Sequence, residues 1–207
     1  MKLLLATRNR NKVTEMQHAL AGTGWQVMML SDFGDMPEVE EDGTTFEENA
    51  RKKARSAAER VEMWTLAEDA GLEVDALGGE PGVKSARYAG EAATDADLMH
   101  KVLERTINVP EERRTARFRC VMCLIDTAGK ETCFEGRCEG RIAHSARGTA
   151  GFGYDPIFIP DGYSRTFAEL GLNAKGKISH RAKAMEQVID YLRKTKGNEG
   201  SRDRGIE

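Results

Sequence analysis

The chain has 207 residues, 40% hydrophobic and 31% charged, with a formal net charge of -3. That is the length of one domain with enough material for a real core, and the composition excludes a wholly disordered chain. A weakly acidic balance with 6% aromatic residues speaks against a nucleic-acid partner, so any polyanionic ligand has to be met by a local cluster of Lys and Arg.

Lys2 to Ala6 reads as a buried strand, and the polar turn Thr7 to Asn11 leads into a helix with Val13, Met16 and Leu20 on one face. No apolar run is long enough for a membrane span, and Met1 to Ala6 is too short for a signal-peptide core, so the reading is cytoplasmic with no membrane partner. Trp25 to Leu30 is a second strand, followed by an acidic, turn-rich loop from Asp32 to Gly43. Thr44, with Glu47 three residues on, forms the capping box of a helix buried along Phe46, Ala50, Ala54, Ala57 and Val61. Trp64 to Glu68 is a short strand delivering Asp69 at its end, with a separate strand-like piece at Leu72 to Ala76.

Gly78 to Gly90 is a glycine-rich loop, and Thr94 caps a helix to about Thr106. Thr115 to Asp126 and Glu131 to Ile142 form a long hairpin, Ile157 to Ile159 a short strand. A last helix from Ser179 to about Lys194 turns Ala182, Met185, Ile189 and Leu192 inward. The alternation of helices and strands, followed by hairpin strands, predicts an α/β protein with a central mixed sheet covered by helices. One domain spans residues 1–195, and the polar residues 196–207 read as a disordered tail. Cys120 and Cys123, like Cys133 and Cys138, have odd spacings that put the members of each pair on opposite sheet faces, which suits reduced structural thiols better than zinc ligands.

Four polar segments carry the candidate chemistry. Thr7-Arg8-Asn9-Arg10-Asn11-Lys12 joins a strand to a helix start, where free backbone N–H groups and a helix dipole favour an anion. Glu38, Glu40, Glu41 and Asp42, with Glu68 and Asp69, are the hard oxygen donors magnesium prefers. Gly151-Phe152-Gly153-Tyr154-Asp155-Pro156 combines glycines that permit close approach with aromatic faces that can stack on a flat base. Lys175 to Arg181 is a basic loop running into a helix start, with Ser179 as cap and His180 and Arg181 pointing outward as donors to carbonyl and phosphate oxygens.

Taken in order, six segments resemble the inosine triphosphate pyrophosphatase family, the non-standard purine NTP pyrophosphatases. They are Ala6 to Lys12, Thr45 to Ala50, Glu68 to Leu72, Pro81 to Tyr88, Phe152 to Pro156 and Ser179 to Arg181. Arg8, Ala70 and Gly176 depart from the family's commoner Gly, Ser and Asn. The resemblance implies an elongated fold of two lobes with a deep cleft, a homodimer, and hydrolysis of ITP/dITP and XTP/dXTP to the monophosphate and pyrophosphate with Mg2+. It implies that Thr7 through Lys12 and Lys53 hold the triphosphate, and that Asp69 is the general base and touches the metal. Glu41, with Glu40 or Glu68, would complete the metal site. Ala70, Phe152, Gly153, Tyr154, Asp155, Lys175, His180 and Arg181 would surround the nucleoside. The competing expectations are a Maf-like pyrophosphatase acting on pyrimidine or modified nucleotides, and a non-catalytic nucleotide-binding regulator.

Overall fold

A computed structural model describes the backbone over residues 1–202 and the side chains over residues 1–195, so the tail expected at 196–207 lies outside the described side chains. Six strands form one sheet in the order β2-β1-β3-β4-β5-β6. β1 (Lys2–Leu5) runs parallel to β2 (Gln26–Met29) and to β3 (Trp64–Val74). β4 (Thr115–Ile125), β5 (Glu131–Ile142) and β6 (Phe158–Pro160) follow as antiparallel neighbours. The mixed sheet expected from the element order is therefore present. Among the described residues no helix is long and apolar enough to cross a membrane.

Side chains alternate across a strand, so consecutive residues of β1 and β3 enter different cores. Leu3, Leu5 and Leu66 pack with Val13, Met16 and Leu20 of α1 (Arg10–Leu20) and with Met185, Val188 and Leu192 of α5 (His180–Arg202). Leu4, Ala6 and Ala67 pack instead with Phe46, Ala50 and Ala54 of α2 (Phe46–Ala58). Leu3, Leu4, Leu5 and Leu66 are wholly buried. At about 1.5–3 kcal/mol for each such side chain, this central pair of strands is a firm base for the Thr7 turn and for Asp69. A third cluster joins Leu72, Phe118 and Phe158 to Leu98 of α3 (Asp95–Arg105) and Phe167 of α4 (Phe167–Ile178).

The structure corrects several local expectations. β3 does not stop at Glu68: Asp69, Ala70 and Gly71 pair with Val121, Cys120 and Arg119 of β4, so Asp69 sits within a continuous strand. Gly71 marks a close approach and not a break, because a Cβ there would meet the Gly82 carbonyl oxygen at 2.5 Å and the Phe46 ring at 2.9 Å. The capping box of α2 is Thr45 with Glu48, one residue later than expected, and Val61 lies beyond the helix end. α4 was hidden from pattern reading by Gly171, which is non-helical at φ 80° and interrupts the periodicity of a helix that Thr166 caps. Its presence puts Lys175 on a helix and not in a loop. On α5 the inward stripe is Arg181, Met185, Val188 and Leu192, with Ala184 beside it, while Ala182 and Ile189 are half-buried. A buried arginine heads that stripe, so counting apolar residues alone rotated it, and the helix runs on to Arg202.

Gly136 of β5 lies directly under the start of α5, where an added Cβ would collide with the His180 carbonyl oxygen and stand 2.6 Å from the Ala184 nitrogen. Because both obstacles are backbone, we expect Gly136→Ala to lower stability by about 1–3 kcal/mol, read as a shifted urea midpoint. An unchanged midpoint would show that α5 can back away from the sheet freely.

Candidate active site

A cavity of about 450 Å³ lies where the Thr7 turn, the Asp32 to Gly43 loop, α2, β3, the Phe152 loop and the α4–α5 junction meet. Asp69, only 4% exposed, forms its acidic wall. Its Oδ2 accepts from Asn49 Nδ2 at 3.0 Å, and its Oδ1 accepts from the Ala70 N–H at 3.1 Å and from Lys53 Nζ at 3.4 Å. Lys53 Nζ also donates to Glu41 Oε1 at 2.9 Å, so one ammonium bridges two carboxylates. Burial raises the Asp69 pKa above its ordinary 3.8; Lys53 opposes the rise and the Glu41 charge reinforces it. At Glu41 burial acts in the same sense but is outweighed by Lys53, so its pKa is lowered. The pair is thereby split into a stronger proton acceptor and an ionised companion, a division suited to acid–base work.

Glu68, the preceding residue of β3, faces the other side of the sheet. It is almost wholly buried and is gripped by Arg181 through Nε at 2.7 Å and Nη2 at 3.1 Å, and by Lys12 Nζ at 2.9 Å. Burial disfavours its charge, but Arg181 and then Lys12 outweigh that and hold its pKa well below 4.5. Arg181 Nη1 also donates to Glu15 Oε2 at 2.6 Å, and Glu15 Oε1 lies 3.0 Å from Lys175 Nζ. α1, β3, α4 and α5 are thus cross-linked by charge beneath the cavity.

The remaining wall is aromatic. Phe152 presents its ring to Lys175 Nζ at 4.3 Å and to the Arg181 guanidinium at 5.7 Å. Asp155 Oδ2 accepts from Lys175 at 2.6 Å and from the Phe152 N–H at 2.9 Å. His180 stacks on Phe118 with ring centroids 4.7 Å apart. It is buried, its Nδ1 has no hydrogen-bond partner among the described residues, and burial, then Arg181 and Lys175, push its pKa well below 6.5. A neutral imidazole carries one donor and one acceptor nitrogen. An orphaned buried polar atom in a cavity wall is a place for a ligand's hydrogen-bonding group.

The Ham1 family pattern matches residues 3–191. A dITP/XTP pyrophosphatase of Desulforamulus reducens is 48% identical over 192 residues, covering 93% of this chain and 96% of its own. Another, of Geobacter sulfurreducens, is 49% identical over 191 residues, covering 92% of this chain and 96% of its own. The solved HAM1 protein of Coxiella burnetii superposes with a TM-score of 0.85 at 42% identity, covering 93% of this chain and 98% of that one. The chain belongs to the Ham1 family.

In this Ham1-family chain the cavity gathers Thr7, Arg8, Asn9, Lys12, Glu41, Lys53, Asp69 and Ala70 with Phe152, Gly153, Tyr154, Asp155, Lys175, His180 and Arg181. Arg10 and Asn11 are exposed and do not line it. Asn9 caps α1 and its Oδ1 takes the N–H groups of Asn11 and Lys12 at 3.0 and 3.2 Å, so the first helical turn begins beside the cavity and only Lys12 turns in. His180 and Arg181, expected to point outward, are buried, since the first turn of α5 lies against β3 and β4 and not in solvent. Tyr154 lines the cavity, but its hydroxyl donates to the Ser85 carbonyl at 2.8 Å. Arg8 donates to the Met36 carbonyl and ties the acidic loop to the Thr7 turn.

Glu40 is exposed outside the cavity, and Glu68 is committed to its ion pairs, which leaves Glu41 beside Asp69. Among the described residues no three or more His, Cys, Asp or Glu are grouped to hold a metal ion. Two carboxylates are, however, the usual protein share of a magnesium site whose other ligands are phosphates and water, so the Glu41–Asp69 pair fits an ion that shares its coordination with a phosphate ligand. Sequence reading missed Asn49 and Glu15. Asn49 stands one helical turn before Lys53, a spacing that could have revealed it; Glu15 pairs with residues from the far end of the chain and gave no signal.

Glu68 has a folded pKa below its unfolded one, so its contribution to stability is complete above about pH 4.5 and is lost as pH falls through the folded value. Glu68→Gln leaves Lys12 buried without its carboxylate and Arg181 with Glu15 alone, at an expected cost of about 3–5 kcal/mol near neutrality. Urea unfolding across a pH series should show this loss and a shallower decline in acid than the unsubstituted chain. Equal slopes would place the acid sensitivity elsewhere.

Proposed function

We propose that the protein hydrolyses non-standard purine nucleoside triphosphates, ITP/dITP and XTP/dXTP, to the nucleoside monophosphate and pyrophosphate in a Mg2+-dependent reaction. The observation that carries this is a single cavity holding Lys53 between Glu41 and Asp69 at one end and Phe152 with the unpartnered His180 Nδ1 at the other. The dITP/XTP pyrophosphatase relatives support it over a Maf-like or a purely regulatory role.

Phosphoryl transfer depends mainly on positioning and charge neutralisation. Lys12, Lys53 and the Thr7 turn receive the triphosphate. Asp69, whose proton affinity is raised by burial, orients the attacking water and takes its proton. Glu41 and Asp69 would hold a magnesium ion, which would supply neutralisation of phosphate charge and so favour pyrophosphate as the leaving group. Asn49 keeps the Asp69 carboxylate turned toward that end of the cavity. At the other end Phe152 stacks on the base, while Lys175 and Arg181 supply only donors. A 6-oxo purine accepts from such donors. The 6-amino group of adenine does not, and sets a donor against donors.

By the same family resemblance we infer two lobes flanking the cavity, a homodimer and a cytoplasmic location. Light scattering of the purified protein would test the dimer.

Purified protein incubated with dITP, XTP, ATP, GTP and dTTP should release pyrophosphate and no orthophosphate, from dITP and XTP first. ATP should be slower by roughly three to five orders of magnitude. Chelation of the metal should abolish turnover and added Mg2+ restore it; preference for dTTP, or orthophosphate release, would overturn the assignment. Asp69→Asn should lower kcat by about two to four orders of magnitude with an unchanged thermal midpoint. Near-normal turnover in that variant would remove Asp69 from the mechanism.

A further inference from the structure

One acidic side chain at the cavity rim has no part in the chemistry above. Asp95 is the first residue of α3, is exposed, and lines the cavity beside Phe152 and Gly153. Its Oδ2 accepts the backbone N–H of Gly153 at 2.7 Å. Gly153 has φ 59°, a left-handed setting that other residues rarely adopt and that here accompanies an N–H turned toward α3. The cap of α3 is separate from this bond: the Thr94 side chain accepts the Asp97 N–H, and the Asp97 carboxylate accepts the Thr94 N–H.

The loop carrying Phe152 is therefore anchored on two sides. Its inner edge is buried: the Asp155 carboxylate holds the Phe152 N–H and Lys175, and the Tyr154 hydroxyl reaches the Ser85 carbonyl. Its outer edge is exposed and bound to α3 through Asp95. α3 also lends Leu98 to the cavity, so the Asp95–Gly153 bond fixes the distance between two parts of one wall.

We propose that Asp95 is a positioning residue for nucleotide binding, latching the Phe152 loop to α3 and so setting the width of the slot in which the base stacks. The proposal rests on the cavity being a nucleotide site, as inferred above. A hydrogen bond to a charged acceptor is about twice as strong as a neutral one. Asp95 lies with the aromatic wall and not among the groups assigned to the phosphates, so its loss weakens ground-state and transition-state binding alike and leaves the chemical step unchanged.

Three variants test this with dITP as substrate. Asp95→Ala should raise KM by about tenfold with kcat changed less than about twofold. Asp95→Asn keeps an acceptor oxygen and should restore KM to within about threefold of the unsubstituted chain. Thr94→Ala weakens the start of α3 without touching Gly153, and should lower the thermal midpoint while leaving KM in place. Amide hydrogen exchange at Gly153, measured without nucleotide, should be faster in Asp95→Ala and not in Asp95→Asn. An unchanged KM or unchanged Gly153 exchange in Asp95→Ala, or an equal rise of KM in Thr94→Ala, would overturn the proposal. Absence of dITP hydrolysis by the unsubstituted chain would instead overturn the functional reading, and Gly153 exchange would still decide whether Asp95 holds the loop.

Discussion

Two adjacent carboxylates on opposite faces of β3 set the terms for the rest of the molecule. Strand alternation sends Glu68 toward α1 and α5 and Asp69 toward α2, and each meets cations there: Lys12 and Arg181 on one side, Lys53 on the other. A buried charge without such partners would cost several kcal/mol, so the helices cannot shift far without exposing that cost. The ion pairs through Glu68 and Glu15 thus fix where α1, α4 and α5 sit against the sheet.

The two faces use their charges differently. Around Glu68 every cation is matched by a carboxylate in short contact, which makes a rigid support. Around Asp69 the match is looser: Lys53 is shared between two acids at 2.9 and 3.4 Å, and burial keeps Asp69 nearer to protonation than an exposed aspartate. A support that is electrostatically satisfied beside a site that is not is the arrangement expected where charge must be rebalanced on ligand binding. The aromatic end follows the same division, with Asp155 and Lys175 satisfied and His180 Nδ1 left without a partner among the described residues.

Much of this was legible along the chain because it is local. The Thr94 cap, the β4–β5 hairpin and the α1 stripe of Val13, Met16 and Leu20 depend on neighbours a few residues apart, and these appear where the pattern put them. α4 was lost because Gly171 breaks its period, and the α5 stripe was rotated because its first inward residue is Arg181. A charged residue on an inner face carries no apolar signal; only its distant partners, Glu68 and Glu15, explain why it is there.

The sequence by itself determined most of the element types, the mixed sheet and the kinds of residue available for phosphate, metal and base, since propensity, capping and side-chain chemistry are properties of short segments. Only the tertiary structure decided which acid would serve which cation. Glu68 and Asp69 are adjacent in sequence and alike in type, yet the pleat of one strand and the helices packed on its two faces give one a fixed ion pair and the other an open cavity. That choice depends on contacts between residues more than a hundred positions apart, which no local pattern encodes.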